Sequence, residues 1–220
     1  MEDQVIVLDF WVSAFAARVK IALEEKGVKY EIKEQNVFDK GPLLLEMNPV
    51  HKMIPVLIHN GKPICESLII LEYIDEVWHG RSPLLPSDPY QRYQARFWVD
   101  FIEKKVNPNR KMLWMEEGEK QVEAKRGLIE SLRTLEGELG EEPYFGGETI
   151  GFVDVALVPF TSWFYTLEIC GNFSIEAECP KIIAWMNRCM QRESVSKSLP
   201  DPKKVYDYVV KFKKKRLGRG

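Results

Sequence analysis

Three short stretches place polar groups where strand and helix would meet. Trp11-Val12-Ser13-Ala14-Phe15 lies where a first strand gives way to a first helix. A helix N-terminus presents free backbone N–H groups and a partial positive charge, which favour an anion, and Ser13 adds a hydroxyl there. Serine before a helix is most often an N-cap and nothing more, and that reading stands beside the catalytic one. Ile54-Pro55 comes just before another strand, where proline is tolerated only at the first residue or on an edge. A cis bond there would leave the N–H and C=O of Ile54 outside the ladder, free to hold a peptide ligand. Glu66-Ser67 opens a helix after a further strand. A carboxylate beside a hydroxyl at the positive end of a dipole suits an α-ammonium and an α-carboxylate together. All three stretches are expected at one end of a sheet, where the ligands of open α/β sheets gather.

The elements that must position them are legible by pattern. Val5-Ile6-Val7-Leu8 is an unbroken apolar run, as in a strand buried on both faces. Ala16, Val19, Ala22 and Leu23 recur at helical spacing over residues 15–26, and Gly27 supplies the stop. Val28, Tyr30 and Ile32 then alternate with charged residues, which predicts a half-buried strand parallel to the first. A short helix is expected over 42–47. Two apolar runs flanking Asn60-Gly61 predict a hairpin, and a helix carrying Leu68, Ile69, Leu71, Ile74 and Val77 follows. The sum is a four-stranded mixed sheet with helices on it. Three prolines in residues 83–89 then deny both helix and strand. Beyond them the pattern is helical: 90–111 with Pro108 as a kink, 121–139, the apolar stretch 152–170, a helix from Pro180 to about Arg192, and 202–216. The expected domains are an α/β unit (1–82), a linker (83–89) and an all-α unit (90–220).

Composition narrows the function class. The chain has 220 residues, 45% of them hydrophobic and 29% charged, with a formal net charge of −2. That balance lacks the basic footprint of a nucleic-acid binder, and no uninterrupted apolar run is long enough to suggest a membrane span. The N-terminal Met-Glu-Asp-Gln-Val-Ile-Val-Leu resembles neither a signal nor a transit peptide, so a cytoplasmic location is expected. Cys65, Cys170, Cys179 and Cys189 form no C-x-x-C pair or disulfide framework, and His51, His59 and His79 have no metal-ligand spacing, so no metal is expected. The basic run 211–216 reads as a solvated last helical turn whose cations complement the dipole.

Several strings carry a resemblance. Leu8-Asp9-Phe10-Trp11, Asn48-Pro49-Val50-His51-Lys52, Asn60-Gly61-Lys62-Pro63-Ile64-Cys65-Glu66-Ser67, the proline-rich stretch 82–90, Tyr144-Phe145-Gly146-Gly147 and Gly151-Phe152-Val153-Asp154 together resemble the cytosolic glutathione S-transferases, the plant tau class in particular. The likeness runs to about Val209. It implies a thioredoxin-like N-terminal domain that binds glutathione as co-substrate, and a helical domain that supplies a hydrophobic pocket. By that resemblance Ser13 is the catalytic hydroxyl, donating to the glutathione sulfur. Ile54 holds the cysteinyl unit by its main chain, Glu66 and Ser67 hold the γ-glutamyl end, and Lys40 lies near the glycine carboxylate. Two positions depart from the family pattern: Met53 stands where a second lysine is common, and Ala14 where proline is usual. Gly151 takes a helix cap position with Asp154 at the third helical residue, a folding device. The electrophile pocket is expected between the domains, from Phe10, Phe15, Trp114 and Trp163, then Asn107 and Phe212.

The implied activity is addition of the glutathione thiolate to bulky hydrophobic electrophiles such as chlorinated aromatics, or reduction of organic hydroperoxides, in detoxification. A thiol reductase would need cysteine where Ser13 stands. A carrier of apolar small molecules with little turnover would use the same pocket, and a conjugation assay separates it from the transferase. The family also implies a homodimer, with the Ser67 helix meeting the partner's long helix around residues 92–100.

Overall fold

In the computed structural model, which describes residues 3–216, β1 (Val5–Asp9) is buried along its whole length. Residues 1–2 and 217–220 of the two expected domains lie outside the described residues. The strand's alternate side chains enter two clusters. Val5 and Val7 join Leu57 in the main core, while Ile6 and Leu8 pack with Leu44, Val56 and Ile58 on the opposite face, as the two-residue period of a strand requires. Ser13 caps α1 (Ala14–Glu25). The helix ends in a Schellman turn: Gly27, at φ +62°, donates to Glu24 O and Val28 to Leu23 O, both at 2.9 Å. β2 (Glu31–Glu34) returns parallel to β1. The half-buried strand expected over 28–33 is therefore shorter and later. Ile32 is 48% exposed because β2 is the sheet's outer strand.

After α2 (Pro42–Met47), β3 (Val56–His59) runs antiparallel to β1, and β4 (Lys62–Cys65) completes the order β2-β1-β3-β4. The hairpin between them turns on Asn60 and Gly61 at φ +50° and +78°, the two positive values that a type I′ turn demands. α3 (Ser67–Val77) then packs beside α1. This is a thioredoxin-like domain with a mixed four-stranded sheet. The stretch expected as a linker is well anchored: Asp75 accepts from the backbone N–H of Leu84 and Leu85 at 2.8 and 3.1 Å, and both leucines are buried.

The second half is helical. The single helix expected over 90–111 is instead α4 (Pro89–Phe101), a π-helical turn (Ile102–Val106) and α5 (Asn107–Met115). Pro108 has no N–H and its ring crowds the carbonyl four residues back. The widened turn, in which Asn107 N–H reaches Ile102 O, carries the helix past that conflict. α6 spans Glu119–Leu139. The helix expected over 152–170 is likewise interrupted: α7 (Phe152–Leu157) and α8 (Phe164–Gly171) flank a 3₁₀ segment (Val158–Trp163) that contains Pro159. Residues 152–171 are long and apolar enough to cross a membrane, but 83% of their most apolar 18-residue window is buried in the protein core. Short α9 (Ile175–Glu178), α10 (Pro180–Met190), short α11 (Glu193–Ser196) and α12 (Pro202–Arg216) complete the chain.

Asp154 is the polar hub of these helices. Fully buried, its carboxylate accepts from the backbone N–H of Phe145, Gly146 and Gly151 at 2.9, 3.0 and 2.8 Å and from Trp185 Nε1 at 2.7 Å. The cap bond expected between Asp154 and Gly151 is thus one of four. Removing the acceptor leaves buried donors unpaired, so Asp154→Ala should lose about 3–5 kcal/mol of stability, read as a lowered urea midpoint.

Candidate active site

Strand register gathers the three polar stretches. Leu8 pairs with Val56 and Val56 with Cys65, so the end of β1, the start of β3 and the end of β4 lie in one row. At about 4.8 Å per strand, Ser13, Ile54 and Glu66 emerge along one edge of the sheet. Glu34 pairs with Asp9, so the loop that leads to Lys40 leaves the same edge.

Ser13 has extended backbone angles (φ −74°, ψ 111°), and its Oγ accepts from Ala16 N–H at 3.2 Å. A hydroxyl that accepts in a cap keeps its own proton to donate outward. The first turn of α1 contains no acidic residue, so no carboxylate of the helix cancels the positive end of its dipole. Ile54 joins Pro55 by a cis bond and stands before the β3 ladder, which begins at Val56. The loop before it is fixed by Asn48, which is buried, donates to Met53 O at 2.9 Å and accepts from His51 N–H at 3.1 Å. Met53 is 62% exposed and Lys40 is exposed as well. Glu66 sits at φ +69° and ψ 114°, a sparsely populated conformation worth about 1–3 kcal/mol of strain, of the kind that clusters at ligand sites. His51 Nε2 lies 3.8 Å from its Oε1.

Ser67, beside it, is buried and tied to a side chain that the sequence pattern does not reveal. Arg18 Nη1 donates to Ser67 Oγ at 3.2 Å, Nε to Ala156 O at 2.9 Å, and Nη2 to Glu103 Oε1 at 2.6 Å. One guanidinium thereby joins α1 to α3, α7 and the π-turn. Burial lowers the Arg18 pKa, and Glu103 works against that shift.

The expected aromatic residues meet across the two halves. Phe10 packs on Tyr208 at 5.8 Å, Tyr208 stacks on Phe212 at 6.2 Å, Phe212 meets Trp114 at 5.8 Å, and Trp114 meets Trp163 at 5.6 Å between ring centroids. Phe38 bridges Phe10 and Phe212, and Trp11 also touches Tyr208. Phe15 stands apart from this series, edge-on to Phe160 at 5.9 Å. Asn107 faces Arg110, whose Nη2 donates to its Oδ1 at 2.9 Å. Tyr208, Phe38, Trp11 and Arg110 were not expected in the cleft. Tyr208 lies four residues before Phe212 on α12, so i,i+4 spacing is the one signal that could have found it. Among the described residues no group of three or more His, Cys, Asp or Glu side chains could hold a metal ion.

Comparison with known proteins decides the family. The glutathione S-transferase N-terminal domain model matches residues 3–76, and the C-terminal domain model matches 97–193. A tobacco (Nicotiana tabacum) protein, the probable glutathione S-transferase parA, is 64% identical over 213 residues, 97% of each chain. Arabidopsis thaliana glutathione S-transferase U25 is 60% identical over 215 residues, covering 98% of this chain and 97% of that one. Among solved structures, a rice glutathione S-transferase in complex with glutathione superposes with a TM-score of 0.93 at 48% identity, over 98% of both chains. A tau-class enzyme from mango (Mangifera indica) superposes with a TM-score of 0.89 at 39% identity, over 93% of this chain and 96% of that one.

The chain belongs to the glutathione S-transferase family, in its tau class. The matched segments of this glutathione S-transferase include the sheet edge with Ser13 and Glu66 and the helices with Trp114 and Trp163, whereas Tyr208 and Phe212 lie beyond them. The Arg18 contacts give a direct stability test. Ser67→Ala strips Nη1 of its acceptor inside the protein and should lower unfolding free energy by about 1.5–3 kcal/mol, measured by denaturant titration.

Proposed function

We propose that the chain is a glutathione transferase of the cytoplasm that joins the glutathione thiolate to bulky apolar electrophiles, with detoxification as its role. The observation that carries this reading is Ser13: a hydroxyl at a helix end that bears no acidic residue, at the sheet edge beside the aromatic cleft. The thiol gives its proton to solvent, and the Ser13 O–H donates to the resulting sulfur anion. Lowering the thiol pKa by two units needs about 2.7 kcal/mol. One hydrogen bond to a charged acceptor contributes about 1.5–3 kcal/mol, and a helix terminus about 0.3–1 kcal/mol, so the two suffice. The sulfur then attacks an electrophilic carbon, the carbon–sulfur bond forms, and a halide leaves with its electron pair. With an organic hydroperoxide the thiolate would attack the outer oxygen and release the alcohol. A second glutathione would then close the sulfenic product to disulfide and water.

In this reading Ile54 holds the cysteinyl unit through its backbone, Glu66 and Ser67 the γ-glutamyl end, and Lys40 the glycine carboxylate, with Met53 at the rim. Phe10, Phe15, Asn107, Trp114, Trp163 and Phe212 form the electrophile pocket. The glutathione-binding domain is taken as 1–82, the linker as 83–89 and the helical domain as 90–220. The four cysteines are all free thiols, which suits a reducing compartment.

We also infer a two-fold dimer. Tyr90, Tyr93 and Phe97 form a row of exposed rings on α4, at 5.9 and 6.3 Å, and Ile69 on α3 is exposed too. Arg96 grips Glu72 with two bonds, at 3.0 and 2.6 Å, and so ties the two helices into one surface, the kind of patch that a second copy can bury.

Ser13→Ala should cut kcat for a chlorodinitrobenzene about ten- to a hundredfold, the factor that one hydrogen bond to a charged acceptor represents, while circular dichroism shows a folded chain. Unchanged turnover would remove Ser13 from its role, and ligand binding with no thioether formed would make the chain a carrier. Phe97→Glu should yield a monomer in light scattering at low micromolar concentration, where the parent chain is dimeric.

A further inference from the structure

The cleft contains a buried cation that the conjugation chemistry above does not use. Arg110, on α5, is 6% exposed, and its guanidinium carbon lies 4.5 Å from the centroid of Phe160 and 4.9 Å from that of Trp163. Arg18 covers Phe160 as well, at 5.0 Å, so two guanidiniums share one ring. They also share one carboxylate. Glu103 is the acid that raises the Arg110 pKa, and it is already bonded to Arg18 at 2.6 Å. Burial and then the Arg18 charge lower the Arg110 pKa to about 10, which leaves it charged at neutral pH.

The donors around it are short of acceptors. Arg110 bonds Asn107 through Nη2, but its Nε is buried without a protein acceptor, and so are Trp114 Nε1 and Trp163 Nε1. Ring faces attract a cation, yet they do not satisfy the N–H groups that lie in the guanidinium plane. A buried unpaired donor or charge is costly. Three such donors within one cluster of rings, with a net positive charge, form the complement of an oxyanion on a flat apolar body. Trp114 also borders a cavity of about 180 Å³ with Phe212, Lys213 and Arg216, whose lining includes the acids Glu116 and Glu117 as well.

We infer that the pocket selects aromatic electrophiles that bear a carboxylate, which Arg110 and the indole N–H groups of Trp114 and Trp163 receive. The inference rests on the reading of this cleft as the electrophile site and names its substrate class. Arg110 acts here on specificity and touches neither the sulfur nor the reacting carbon.

The test is calorimetric titration of the full chain with a dinitrobenzoate and with its methyl ester. Neither has a leaving group, so the result does not depend on turnover. The parent chain should bind the carboxylate about tenfold or more tighter than the ester, the factor expected of one hydrogen bond to a charged group. Arg110→Gln should bring that ratio close to one. Trp163→Phe, which keeps an aromatic ring and removes the N–H together with the five-membered ring of the indole, should reduce it severalfold and serves even if the arginine variant does not fold. Equal or weaker binding of the carboxylate by the parent chain would overturn the inference, as would a ratio that neither variant changes. Failure to conjugate a chlorodinitrobenzene would count against the transferase reading and leave this measurement intact.

Discussion

The Arg18 guanidinium has no exposed surface, and it remains charged between α1, α3 and the second half because Ala156 O, Ser67 Oγ and Glu103 each meet one of its nitrogens. Burying a charge is expensive unless it is paired and hydrogen-bonded. Those three acceptors therefore restrict how α1 can sit against α3 and the helical half. Ser13 begins the same helix, little more than one turn earlier, and Glu66 immediately precedes the serine that Arg18 grips. A loose α1 would carry the hydroxyl and the helix terminus away from the row of strand ends. The positions of Ser13 and Glu66 thus depend on a contact made by their near neighbours in sequence.

Local signals made much of this legible. The apolar run of β1, the Asn60-Gly61 hairpin, the α3 pattern and the 202–216 helix each depend on neighbours in sequence, and the structure has them where the pattern puts them. Ser13 and Glu66 could be singled out because a turn after a strand is itself a local feature. Arg18 could not, since its partners lie 49, 85 and 138 residues away and nothing near it marks a buried cation. Ile32 misled for a related reason: alternation announces a strand, while its place at the outer edge is decided by the rest of the sheet. Pro108 announced an interruption, and Pro159 makes a second that the reading of 152–170 as one helix did not include. That one is absorbed by a π-turn and the other by a 3₁₀ segment was not written in the residues alone.

The two halves divide the chemistry. The sheet edge offers polarity with little charge: a hydroxyl, a helix end, free backbone at Ile54 and one strained carboxylate residue. The helical half offers rings: Trp114 and Trp163 meet each other, and Tyr208 and Phe212 of α12 join them to Phe10. An anion is stabilised where the backbone points at it, and the partner it attacks is held where water is displaced by aromatic surface.

Capture of a sulfur anion at the start of α1 is what the proposed chemistry requires. It is tested most directly by titrating the ultraviolet absorbance of thiolate in glutathione bound to the parent chain. The bound thiol should ionise about two pH units below the ordinary thiol value. A bound thiol that titrates as it does free in solution would contradict it.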